Sequence, residues 1–140
     1  SEMCIRDRYS FPGSPTVFYG DEAGMQGFED PLNRGTYPWG QEDSSLLAYF
    51  RQLGTLRKQR LSLQCGDIGY LYAVGGGLVL RRQSEDEVTV AAMNAGMQPL
   101  ELSIPWVGAL AKDALTGQHF FARNGMLRLT LPPVGGVLLV

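Results

Sequence analysis

Gly13-Ser14-Pro15-Thr16-Val17-Phe18-Tyr19-Gly20-Asp21-Glu22-Ala23-Gly24-Met25 is followed within a few residues by Asp30-Pro31-Leu32-Asn33-Arg34. Thr16 to Tyr19 is a short β-branched and aromatic run between Pro15 and Gly20. That composition predicts a strand buried on both faces, as in parallel sheets. Its polar end is Asp21 and Glu22. Adjacent residues on an extended segment point to opposite faces, so one carboxylate is expected on the open side and the other against the neighbouring wall. Gly27 to Asp43 mixes glycine, proline and polar residues with no sustained period, and it predicts an irregular loop. Phe28, Tyr37 and Trp39 within it read first as the loop's own core. Asp43-Ser44-Ser45 supplies capping oxygens for a helix start. Leu46, Tyr49, Phe50, Leu53 and Leu56 then recur at helical spacing, one apolar stripe on a helix of about four turns. Arg57, Lys58 and Arg60 crowd its end, where the helix dipole favours cations, and read as a solvated last turn.

These residues carry a resemblance. G-x-P-x-x-x-Y-G-D-E-x-G-M over Gly13–Met25, D-P-x-N-R over Asp30–Arg34 and the Pro38-Trp39 pair together resemble the eighth strand and following loop of glycoside hydrolase family 13, the α-amylase family. Within it the neopullulanase, cyclomaltodextrinase and α-glucosidase branch is most similar. The likeness runs over residues 10–140, and it implies the last part of a family member.

After Gly66 the hydrophobic period changes from helical to alternating. Tyr70–Val74 and Leu78–Arg82 flank Gly75-Gly76-Gly77, a hairpin signal because glycine takes the positive φ of tight turns. Val88–Met93 predicts another strand. Leu100, Leu102 and Ile104 alternate with polar residues, as do Leu127, Leu129 and Leu131. Val137–Val140 predicts a final buried strand. Six or so short strands separated by turn residues indicate an antiparallel β-sandwich. Tyr70, Tyr72, Phe120 and Phe121 fit either its core or an exposed platform.

The expected fold is therefore an α+β fragment, in which the last strand and helix of a (β/α)8 barrel precede an antiparallel β-sandwich. Residues 10–66 are assigned to the barrel and 67–140 to the sandwich. Residues 1–9 are set aside as a non-native leader, because Met3-Cys4-Ile5-Arg6-Asp7-Arg8 resembles translated adapter sequence.

The 140 residues fall short of the roughly 250 of a complete barrel. A composition 44% hydrophobic and 19% charged reads as globular. A net charge of −2 argues against nucleic acid, and no apolar run reaches the roughly 20 residues of a membrane span. Cys4 and Cys65 lack metal-ligand spacing and are too few for a disulfide framework. Reduced thiols suit the cytoplasm, although a truncated N-terminus would also have removed an export signal. No metal or cofactor is expected.

Retaining glycosidases need two carboxyl groups about 5 to 5.5 Å apart. The resemblance puts the family's catalytic carboxylates on earlier strands, so no catalytic residue is assigned and Asp21 and Glu22 are at most supporting groups. It carries glycan binding to Asp30 and Arg34. A paired Arg and carboxylate offers directed donors and acceptors to vicinal hydroxyls, and a surface ion pair holding the loop is the plainer alternative. His119 reads as a structural histidine. The implied partner is an α-glucan or maltooligosaccharide, met through a parent enzyme that hydrolyses α-glucosidic bonds, this piece being inactive alone. The competing readings are a noncatalytic glucan-binding or stabilising β domain over residues 67–140, and an incomplete gene product with no function of its own.

Overall fold

The structure, a computed structural model, describes residues 2–31 and 33–140. The expected capped helix forms as α2, Ser44–Gln59. Asp43 Oδ1 accepts from the amides of Ser45 and Leu46, each at 3.0 Å, which satisfies donors that a helix start leaves free. Phe50 and Leu53 are buried along the stripe, with Leu46, Tyr49 and Leu56 packed beside them. A five-residue helix, α3 (Leu61–Cys65), follows directly.

The basic cluster is not the solvated last turn that its position suggested. Arg57 is buried, and its guanidinium donates to the carbonyls of Tyr9, Phe11 and Gly13. Tyr9 is in the last turn of α1 (Glu2–Ser10), where final carbonyls have no intrahelical partner and the dipole favours a cation, and Phe11 and Gly13 follow it in the chain leaving the helix. Arg60 donates to Thr89 Oγ1 at 2.6 Å and to the Val88 carbonyl at 2.8 Å. Lys58 alone is exposed. The carbonyls that draw the two arginines inward come from distant parts of the chain.

α1 itself was set aside in the sequence reading, yet Glu2–Ser10 packs within the fold. Ile5 is buried and Met3 and Tyr9 lie against the cluster around Phe50 and Leu53. Its polar groups are poorly served. Arg6 Nε and Nη1 and Asp7 Oδ1 are buried with no hydrogen-bond partner among the described residues. Burial pushes the Asp7 carboxyl up to about 6 against the lowering pull of Arg6.

The expected strand over Thr16–Tyr19 does not form. These residues join no ladder, because among the described residues no strand runs alongside to exchange main-chain hydrogen bonds with them.

The β part is formed by β1 (Asp67–Val74), β2 (Gly77–Ser84), β3 (Glu87–Asn94), β4 (Leu100–Pro105), β5 (Leu110–Lys112), β6 (His119–Arg123), β7 (Met126–Leu131) and β8 (Gly135–Leu139). They make two antiparallel sheets, ordered β1-β2-β3-β8 and β4-β7-β6-β5. β6 falls on the strand-like run of Phe120 and Phe121, whereas β5, only three residues long, was not anticipated. The glycine-rich turn closes β1 on β2 by pairing Val74 with Gly77, and Gly75 takes φ +56°.

The first sheet is a middle layer. Val79, Val90 and Ala92 face Leu127, Leu129 and Leu131 of the second sheet, while Leu80, Ala91 and Met93 face α1 and α2. Burial on both faces explains why Val90 to Met93 reads as a continuous apolar run. Arg82, 1% exposed, crosses between layers: its guanidinium donates to the Gly66 carbonyl at 2.9 and 3.1 Å and to the Ser10 carbonyl at 2.9 Å. Tyr72 and Phe120 contribute to the inter-sheet core, whereas Tyr70 and Phe121 are exposed: Phe120 and Phe121 are neighbours on opposite faces of β6, and a register shift between Tyr70 and Tyr72 separates the two tyrosines of β1. His119 lies exposed at the start of β6.

Candidate functional site: the loop over residues 20–43

Gly20 begins the site by taking φ +87°, which an L side chain rarely adopts. The chain turns there: the Asp21 amide donates to the Phe18 carbonyl at 3.1 Å and Asp21–Ala23 forms one 3-10 turn. Asp21 and Glu22 therefore do not straddle a strand as expected, because the turn has replaced the alternation of extended backbone. Asp21 is exposed, 3.8 Å from Arg8. Glu22 is half-buried, and its Oε2 has no partner among the described residues. Burial, with the Glu22 and Glu42 carboxylates, holds the Tyr37 hydroxyl above its ordinary pKa.

The loop tip is anchored from beneath. The Tyr19 hydroxyl donates to the Gly35 carbonyl at 3.0 Å. A Cβ on Gly27 would lie 2.8 Å from Asn33 Cα, so this glycine allows the two limbs of the loop to touch. The Arg34 amide donates to the Pro31 carbonyl at 3.0 Å. Tyr19 was read only as a strand residue; its strut role depends on contact across the loop, which spacing along the chain does not express.

Asp30 and Arg34 come together as the sequence pattern suggested. Arg34 Nε donates to Asp30 Oδ1 at 3.2 Å and Nη2 to Oδ2 at 3.3 Å, a two-pronged pair. The side chains are 62% and 72% exposed. An exposed ion pair contributes about 0 to 1 kcal/mol, so the pair is a weak clamp and leaves donors and acceptors turned to solvent.

Phe28 and Trp39 are not the loop's core: they are 83% and 82% exposed. Residues 26–31 all lie at the surface, and among the described residues no second layer covers the rings. Tyr37 is half-buried, its ring centroid 4.6 Å from that of Trp39. Phe18 and Tyr19 form another exposed ring pair, 5.0 Å between centroids. Among the described residues no group of three or more His, Cys, Asp or Glu side chains could hold a metal ion, and no helix is long and apolar enough to cross a membrane.

No protein-family model matches the chain. Curated relatives do. A cyclomaltodextrinase of Geobacillus thermopakistaniensis is 35% identical over 136 residues, 92% of this chain and 23% of its own. A neopullulanase of Thermoactinomyces vulgaris is 31% identical over 98% of this chain and 25% of its own length. Among solved structures, an Anoxybacillus α-amylase superposes with a TM-score of 0.92 at 27% identity, over 99% of this chain and 31% of that one. The chain belongs to glycoside hydrolase family 13, the α-amylase family. It spans only about a tenth of the amylopullulanase of Thermoanaerobacter thermohydrosulfuricus, to which it is 31% identical. Another α-amylase-family neighbour, the Geobacillus thermoleovorans enzyme in complex with acarbose, superposes with a TM-score of 0.88. The family's fold is thus matched along nearly the whole chain, the two antiparallel sheets included.

Proposed function

We propose that this chain is the C-terminal part of a glycosidase that hydrolyses α-glucosidic bonds in starch-derived oligosaccharides, and that its loop supplies binding rather than bond cleavage. Relatives called cyclomaltodextrinase, neopullulanase and amylopullulanase support the substrate class. In this reading residues 10–66 end the catalytic barrel and residues 67–140 form its β-sandwich partner.

The observation that carries the proposal is the exposed Asp30–Arg34 pair. It contributes little to loop stability, yet it presents a fixed guanidinium edge beside two carboxylate oxygens, a geometry that matches vicinal hydroxyls. Proton transfer and nucleophilic attack need two carboxyl groups held about 5 to 5.5 Å apart around a bound sugar. We assign that pair to other strands of the longer protein, so the 140-residue chain alone is inactive.

Steady-state kinetics of the full-length enzyme on maltooligosaccharides of increasing length test the assignment. If the pair grips ground and transition states equally, Arg34→Ala raises KM and leaves kcat nearly unchanged. Loss of a charged hydrogen bond is worth about 1.5 to 3 kcal/mol, roughly tenfold to a hundredfold in affinity. Arg34→Lys rescues only in part, since an ammonium lacks the planar fork. An unchanged KM with a large fall in Tm would instead make the pair structural.

A further inference from the structure

We propose that the groove between the β2–β3 hairpin and the β4–β5 connection is a second binding site for α-glucan chains, remote from Asp30 and Arg34; the choice of α-glucan rests on the functional reading above. The groove exists because the two sheets do not overlap completely. Arg81 and Gln83 share the face of Val79, which further along β2 forms the inter-sheet core, but here both side chains are exposed. The space they line is about 1050 Å³, at the upper end of the roughly 300 to 1,000 Å³ of small-molecule sites.

Trp106 lines the same space. It is half-buried against the inter-sheet core, and its position is fixed twice: Nε1 donates to the Leu110 carbonyl at 3.1 Å and the main-chain amide to the Gly125 carbonyl at 2.9 Å. A ring held by its polar edge keeps an apolar face for a ligand without paying to order it on binding. Across the groove, the Arg81 guanidinium lies over Gly69, its cross-strand partner: a Cβ there would be 3.8 Å from Nη2. Among the described residues the Arg81 guanidinium makes no hydrogen bond or ion pair, so its donors are unspent.

The charges select the ligand class. Glu85, Asp86 and Glu87 face Arg60 and Arg81 around the groove, so an anion meets no net positive field. Glu87 is already committed, accepting from the Ser62 amide at 2.6 Å and standing 3.9 Å from Arg60. What remains is an aromatic face beside the unspent Arg81 guanidinium, the Glu85 and Asp86 carboxylates and the Gln83 amide, whose Nε2 makes one long bond, 3.5 Å, to the Glu85 carbonyl. A neutral polyhydroxylated ring uses all of these at once, its C–H face on the indole and its hydroxyls on the polar groups.

The chain has two tryptophans, Trp39 and Trp106, so Trp39→Phe leaves Trp106 as the sole indole reporter. Titrating this variant of the 140-residue chain with maltoheptaose is expected to change Trp106 emission saturably. Adding Arg81→Ala, an exposed substitution whose folding is checked by circular dichroism, should weaken binding at least tenfold, and Gln83→Ala should weaken it further. Arg34→Ala should leave the response intact. No saturable change, a response indifferent to both groove substitutions, or a response abolished by Arg34→Ala would each overturn the second site. Equal binding of cellohexaose would overturn the α-glucan class. The role of Arg34 stands or falls separately, on KM in the full-length enzyme.

Discussion

Replacing Gly66 by alanine separates what local propensity expects from what packing enforces. Gly66 has φ −67° and ψ 151°, a conformation open to alanine. By chain entropy alone the substitution should stabilise the protein by about 0.4 to 1 kcal/mol. In the fold, however, the new Cβ would lie 2.7 Å from the Gln83 carbonyl oxygen and 2.8 Å from its carbon, and closer still to the Ser62 carbonyl oxygen. All three are backbone atoms, one group in α3 and the other in β2, so no side chain can swing aside. Relieving the overlap separates α3 from the β1–β2 pair at Asp67 and Gln83. It also strains the Gly66 amide bond to Ser62 at 3.1 Å and both Arg82 bonds to the Gly66 carbonyl. Overpacking costs about 1 to 3 kcal/mol and a weakened charged hydrogen bond about 1.5 to 3, terms that overlap. Less the entropic gain, the net loss is about 2 to 4 kcal/mol. Urea unfolding followed by circular dichroism measures it: with m near 1 to 3 kcal/mol per molar, the midpoint falls by roughly 0.7 to 4 M. Gly54→Ala is the control. It sits inside α2 with its nearest atom, Tyr9 Cε1, 3.9 Å from the new Cβ, and it should stabilise by about 0.5 to 1 kcal/mol. A Gly66→Ala midpoint equal to or above that of the unsubstituted chain would refute the packing argument.

Asp7→Asn should raise Tm at pH 7 and do little near pH 4. The folded carboxyl is pushed up to about 6, above its unfolded value of 3.8, so the fold loses stability as pH rises through that window, and the amide removes the loss. Melting curves from pH 4 to 7.5 check the sign. Glu87→Gln should act in the opposite sense: burial works to raise the Glu87 pKa, but bonds from Ser62 and the nearby Arg60 outweigh it and leave it lowered. Its stabilising part is present above the ordinary glutamate range and fades as acid protonates the folded carboxylate, so the variant should melt lower at pH 7 and match the unsubstituted chain in acid. Arg57→Met should lower Tm by leaving the part-buried Tyr9 and Phe11 carbonyls without their donor, an acceptor left unpaired out of water costing about 1 to 3 kcal/mol, while the Gly13 carbonyl, on an exposed residue, adds little; a Tm within a degree of the unsubstituted chain would show that water replaces the guanidinium.

How far the chain could be read follows from the range of each signal. Asp43 as a cap, the α2 stripe, the Gly75-Gly76 turn and the alternation in β4 and β7 are local: each depends on neighbours within about one helical turn or one strand length, and periodicity or turn chemistry expresses them directly. The Asp30–Arg34 pair belongs with them, four residues apart on a single loop. Tertiary structure decided the rest. Thr16–Tyr19 has strand composition but no partner strand to complete a ladder. Arg57 and Arg60 read as solvated from their place at a helix end, yet carbonyls brought from as far as 48 residues away draw them inward. Phe28 and Trp39 look buried and are not, since hydrophobicity secures burial only where another element lies over the ring. The groove beside Trp106 had no sequence signal at all, because it is made by the incomplete overlap of two sheets, and only the packing of one on the other sets where that overlap ends.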